Sequence, residues 1–113
     1  MMAKYTDKAE FQIPRHIVFK NGVNIEAITD NKTLTYESSS HQIFTLTSVS
    51  AKTCMLPLEK DGAYFYIRNE SASTHDINVN IVSTGATIAT LASSGECGLF
   101  VCDGSNWKML FKA

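Results

Sequence analysis

The three histidines, His16, His41 and His75, are the chain's candidates for a general base or a metal ligand, and they stand in three separate segments. None has an HxH or HxxxH neighbour, so no local spacing points to a metal site. Each reads as a surface or strand-end histidine. The 11 carboxylates are dispersed along the chain. A glycosidase needs two of them facing across a scissile bond. Nearly all fall in turns or at outward strand positions, where solvated surface is the simpler reading. Cys54, Cys97 and Cys102 are an odd number with no CxxC spacing. They read as small apolar core residues in a reducing compartment. Cys97 and Cys102 lie on one expected strand but on opposite faces, roughly 16 Å apart when extended, too far for a disulfide. Ser93-Ser94-Gly95-Glu96 has the composition of a nucleophile loop but lacks G-x-S-x-G and its strand-to-helix setting. No Gly-rich phosphate loop is present. Asn31-Lys32-Thr33 and Asn69-Glu70-Ser71 match the glycosylation sequon, a chance match without a secretory route. Tyr64 and Tyr66 are either a sugar-stacking platform or one face of a sheet packed on a neighbour, and the packed face is the simpler reading. No catalytic residue, cofactor or metal is therefore expected.

The elements that position these residues are strands. Asp61-Gly62 is a turn signal, and Tyr64 to Asn69 runs straight on in aromatic and β-branched residues, which suit a pleated, half-buried surface. Alternation puts Tyr64, Tyr66 and Arg68 on one face and Phe65, Ile67 and Asn69 on the other. His16 to Lys20 and Val23 to Ile28 flank Asn21-Gly22, a strong hairpin signal because both turn positions need positive φ. Further strands are expected at 33–36, 42–47, 53–56, 77–81, 86–91, 97–102 and 107–111. Pro57 stops the one at 53–56. In the last, Trp107, Met109 and Phe111 share one face, with Lys108 and Lys112 on the other. Glu37 to His41 reads as a polar loop. Phe65, Ile67, Ile77, Val79 and Trp107 are the expected core anchors.

About eight strands, with turn signals every 8–12 residues and no helical segment, predict an all-β fold: an antiparallel, jelly-roll-like β-sandwich with an extended N-terminal arm. Residues 1–15 form the arm and 16–113 a single domain. The arm is either a frayed terminus or a segment that orders on a partner. The chain of 113 residues is long enough to bury roughly two-thirds of its unfolded surface. Its net charge of −1 comes from 10 basic and 11 acidic residues without a basic block, so no nucleic-acid partner is expected. No apolar run of about 18 residues predicts a membrane helix. The N-terminus lacks the apolar region of a signal peptide, so synthesis and retention in a cytoplasm are expected.

A resemblance then narrows the function. Thr33-Leu34-Thr35 leads through a polar loop to Ile43-Phe44-Thr45-Leu46. Thr53-Cys54-Met55-Leu56-Pro57 follows, and then a Gly62-led aromatic strand ending Ile67-Arg68-Asn69. Ile77-Asn78-Val79-Asn80-Ile81 comes next. Gly95-Glu96 leads to Leu99-Phe100-Val101, and Asp103-Gly104-Ser105-Asn106-Trp107 closes the series. This order resembles the small β-modules of tailed-phage virion proteins, found in tail fibres and in capsid decoration proteins. A freestanding chain of this size is most similar to the cement or staple decoration proteins of epsilon15-like short-tailed phages.

The resemblance implies a non-enzymatic protein of the virion. It is expected on the outer capsid surface, made in the host cytoplasm. It would bind the major capsid protein, clip neighbouring copies together and hold the shell against internal pressure. The expected contact arm comprises Lys4, Tyr5, Phe11, Ile13 and Arg15. A second partner is the chain itself, as a homo-oligomer with a dimer favoured over a trimer. The alternatives are a receptor- or glycan-binding module of a phage tail fibre, and a small sandwich hydrolase, which requires His and carboxylate groups to converge in one cleft.

Overall fold

The computed structural model describes residues 22–47, 50–72 and 75–113. Within them the alternating pattern becomes nine strands and no helix. They are β1 (Val23–Ile28), β2 (Lys32–Thr33), β3 (His41–Leu46), β4 (Lys52–Leu56), β5 (Tyr64–Asn69), β6 (Ile77–Ile81), β7 (Thr87–Leu91), β8 (Cys97–Cys102) and β9 (Trp107–Lys112). The expected strand at 16–20 and the arm at 1–15 lie outside the described residues. Gly22, at their border, has φ +73°, the left-handed conformation that an Asn-Gly turn asks for.

The strands make two sheets, one in the order β9-β8-β5-β3-β1 and one in the order β2-β4-β6-β7. From β1 to β6 the chain changes sheet at every strand. Successive strands within a sheet therefore run parallel: β1 beside β3, β3 beside β5, β2 beside β4 and β4 beside β6. Antiparallel pairing is confined to β7 on β6, β8 on β5 and β9 on β8. This corrects the expectation of an antiparallel arrangement, because both sheets are mixed. Parallel neighbours need a crossover of about a dozen residues. Here each crossover contains a strand of the opposite sheet, as residues 29–40 contain β2. The register steps, from Val23 to His41 and from His41 to Tyr66, are unequal, so the winding leaves no repeat in the sequence.

One apolar cluster fills the space between the sheets. Phe44, Leu46, Phe65, Ile67 and Phe100 come from the first sheet, and Cys54, Leu56, Ile77, Val79 and Leu91 from the second. Leu34 and Trp107 close it. Full burial of each large side chain stabilises by roughly 1.5–3 kcal/mol. The turn before β9 aims Trp107 inward. The backbone N–H groups of Ser105 and Asn106 donate to Asp103 Oδ1 at 2.9 and 2.8 Å. Those bonds, Asn106's first, hold the Asp103 carboxyl below its ordinary range.

A β-bulge corrects the expected faces of β9. The register shifts between Leu99 and Phe100, which face Phe111 and Met109, so Leu110 is the extra residue. Past it the faces exchange. Phe111 turns outward beside Tyr66, with ring centroids 5.7 Å apart. Lys112 turns toward the second sheet, where its Nζ donates to Thr90 O at 3.4 Å.

Gly98 has the least room of the described glycines. A Cβ there would meet Phe100 Cζ at 2.9 Å and Leu91 Cδ2 at 3.4 Å. Gly98→Ala is expected to destabilise by about 1–3 kcal/mol through overpacking. Urea unfolding checks this, with the midpoint lowered and the slope unchanged.

Candidate functional site

The outer faces of the two sheets differ, and the difference follows from which residues alternate with the core. On the second sheet the outward residues include Thr53 and Met55 of β4, Asn78 and Asn80 of β6, and Thr87 and Thr90 of β7. Thr90 Oγ1 donates to Asn78 Oδ1 and Thr87 Oγ1 to Asn80 Oδ1, each at 2.8 Å. These bonds tie the outer faces of β6 and β7 together.

On the first sheet the outward residues are largely apolar. The cross-strand register lines up Phe111, Leu99, Tyr66, His41 and Val23 in one row. Cys97, Arg68, Ile43 and Ile25 form the next. Tyr66 is the centre of the first row, 5.4 Å from the His41 ring and 5.7 Å from the Phe111 ring. Cys97 Sγ sits 3.9 Å from the Tyr66 hydroxyl. That contact first, and burial second, raise the Tyr66 pKa. Ile25 is 76 % exposed, Val23 48 % and Phe111 43 %. No described element packs on this face. Charge is sparse on it. Arg68 bonds Glu70, and Lys108 approaches Asp103 at 3.8 Å.

The inward residues of β1 explain why its apolar side points out. Asn24 Nδ2 donates to Glu26 Oε1 at 3.0 Å and to Gln42 Oε1 at 2.7 Å. Glu26 in turn pairs with Lys32 at 2.8 Å, which with Asn24 lowers the Glu26 pKa. Glu26 belongs to the first sheet and Lys32 to the second. This edge between the sheets is thus closed by a polar network, leaving Val23, Ile25 and Ala27 for the outer face.

A second feature lies where the turn at 60–63 meets the loop at 36–40. It is a cleft of about 210 Å³ lined by Tyr36, Ser38, Ser40, Lys60, Asp61 and Tyr64, with Ala63 and Phe65 behind them. Gly62 has φ +83° and Ala63 N donates to Lys60 O at 3.1 Å, as in a type II turn. Lys60 Nζ sits 5.2 Å above the Tyr36 ring, whose hydroxyl donates to Leu58 O. Burial first raises the Tyr36 pKa.

Phe65, Ile67, Ile77, Val79 and Trp107 are all buried in the core cluster. Lys4, Tyr5, Phe11, Ile13 and Arg15 lie outside the described residues, as does His16. His41 belongs to the outer row, while His75 is near Ser93, whose Oγ accepts from His75 N at 3.3 Å. Among the described residues no group of three His, Cys, Asp or Glu could hold a metal ion. Burial pushes the Cys54 thiol up to about 12, with Lys32 opposing it, so it stays protonated at neutral pH. Sequence reasoning missed Tyr36, Ser40 and Asp61 as neighbours. The tyrosine beside a serine run and the Asp-Gly before an aromatic strand were visible, but the fold alone brings them together.

Compared with protein-family models, curated proteins and solved structures, the chain matches none. Functional inference therefore rests on the two surfaces and on the motif resemblance.

Proposed function

We propose that the chain is a non-enzymatic structural protein of a phage virion. It binds the outer capsid surface and clips adjacent major capsid proteins together. The observation that supports this most is the contrast between the outer faces: mostly polar and cross-bonded between β6 and β7 on one sheet, largely apolar and uncovered by described elements on the other. Exposed contiguous apolar surface of this kind marks protein-interaction sites. Tyr66, Phe111 and Ile25 have the aromatic and aliphatic character of interface anchors. A ligand that binds only the assembled shell stabilises it by linkage, and symmetry repeats each weak contact many times. Self-association, as a dimer, belongs to the same proposal.

Co-sedimentation with capsids that lack the protein tests this reading. Saturable binding is expected. Ile25→Asp combined with Phe111→Ser is expected to weaken it about tenfold or more, equivalent to about 1.4 kcal/mol. Deleting residues 1–12 measures the arm's share. Absence of binding at every concentration overturns the proposal.

A further inference from the structure

We propose that the cleft between Tyr36 and Tyr64 is a carbohydrate subsite that takes a single neutral pyranose ring.

The lining sets the ligand's chemistry. Tyr36 and Tyr64 supply aromatic surface, on which the positively polarised C–H groups of a sugar face can rest. Asp61 supplies a carboxylate, an acceptor only, and Lys60 an ammonium, a donor only. Among the described residues Asp61 makes no ion pair or side-chain hydrogen bond, although Lys60 is its neighbour. Ser40 adds a hydroxyl. It is only 4 % exposed and lines the cleft, yet its hydroxyl has no partner among the described residues. That hydroxyl still meets solvent, so a ligand hydroxyl can take the place of the water it bonds. Its backbone is held in place, because Ser40 O accepts from Tyr66 N at 2.7 Å.

Competing ligand classes fit less well. An anion meets Asp61 and a cation meets Lys60. A purely apolar group would bury Ser40 and the Asp61 rim without satisfying them. A polyol brings a donor and an acceptor on every hydroxyl, so it can serve the carboxylate, the ammonium and the serine together. The volume of about 210 Å³ lies below the roughly 300–1,000 Å³ of pockets for drug-sized ligands, so one ring fits rather than a chain. Twelve non-hydrogen atoms in a hexose, at the efficiency of ordinary ligands, give a Kd on the order of 1 mM. The site is also backed rigidly. Gly104, at φ +99°, brings the 103–106 turn so close that a Cβ there would stand 3.3 Å from Asp61 Cβ.

The proposal does not depend on capsid binding, and its test uses a different ligand. Glucose, galactose, mannose and N-acetylglucosamine are titrated singly into the ¹⁵N-labelled full chain and followed by amide chemical shifts. Acetate and methylammonium serve as charged comparisons. At least one sugar is expected to give saturable shifts centred on Ser40 and Asp61 to Phe65. Asp61→Ala and Tyr64→Ala are each expected to weaken it about tenfold, with amide shifts elsewhere unchanged. Three results overturn the proposal. They are no saturable shift up to tens of millimolar sugar, tighter binding of acetate or methylammonium than of any sugar, and undiminished binding by both folded variants. If both variants fail to fold, Ser40→Ala replaces them, with the same loss expected and undiminished binding counting against the site.

Discussion

Trp107→Ala is expected to remove about 3–5 kcal/mol of stability, the cost of truncating a large aromatic in a packed core. Stability for a domain of this kind is only about 5–15 kcal/mol, so the variant stands near the threshold of folding. Two interactions are lost together. The ring leaves the cluster, where it lies 5.9 Å from Phe65. Its Nε1–H no longer donates to Pro57 O, a bond of 2.9 Å that ties β9 to the end of β4. Trp107→Phe separates them, because it keeps much of the apolar volume and leaves Pro57 O unpaired. It is expected to cost about 1–3 kcal/mol, the price of one buried acceptor without a donor. Urea unfolding of the three proteins checks the order wild type, Trp107→Phe, Trp107→Ala. Equal losses in the two variants would mean that the hydrogen bond, not the ring, carries the anchor.

The role of Trp107 was legible in the sequence because an Asp-Gly-Ser-Asn turn precedes a large ring at an inward position. The same alternation correctly put Phe65 and Ile67 on the inner face of β5, opposite Tyr64 and Tyr66. What alternation cannot say is which strand lies alongside. A strand that crosses to the opposite sheet has the same length and turn residues as one that hairpins back. The parallel pairing of β1, β3 and β5 was therefore invisible, and an antiparallel arrangement was expected. Alternation also presumes an unbroken register. The bulge at Leu110 breaks it, and so Phe111 faces out, into the row that supports the proposed capsid contact. The cleft was unreadable for a third reason. Tyr36 and Ser40 belong to one loop and Asp61 to a turn about twenty residues on, and only the packing of the two makes one site. The serine run at 38–40 reads as a polar loop, yet Ser39 and Ser40 are buried.

The second large effect is expected at Asn69, a buried polar residue at the point where the chain leaves the first sheet for the second. It is 0 % exposed, and its side chain serves three backbone groups. Nδ2 donates to His75 O and to Leu91 O, both at 2.8 Å, while Oδ1 accepts from Ser71 N at 2.9 Å. Ser71 is equally buried, and its Oγ accepts from Leu46 N at 2.8 Å. One amide thus connects β5, the 70–76 crossover and β7. Asn69→Leu matches the volume but leaves two carbonyls and one N–H without partners. At about 1–3 kcal/mol for each, a loss of more than 3 kcal/mol is expected even if water relieves part of it. Asn69→Asp distinguishes hydrogen bonding from shape. The new carboxylate still accepts from Ser71 N but offers nothing to the two carbonyls, and its charge is buried. Its folded pKa is therefore raised above the unfolded value near 3.9. Such a group favours folding most when protonated, because the acid O–H can donate to one carbonyl. That contribution is full below the unfolded pKa and fades as pH rises through the folded one. The variant should consequently approach wild-type stability as pH falls, measured as the difference in urea midpoint across pH. A difference that stays constant with pH would show that the carboxyl is solvated, and that Asn69 does not bridge the sheets as its distances indicate.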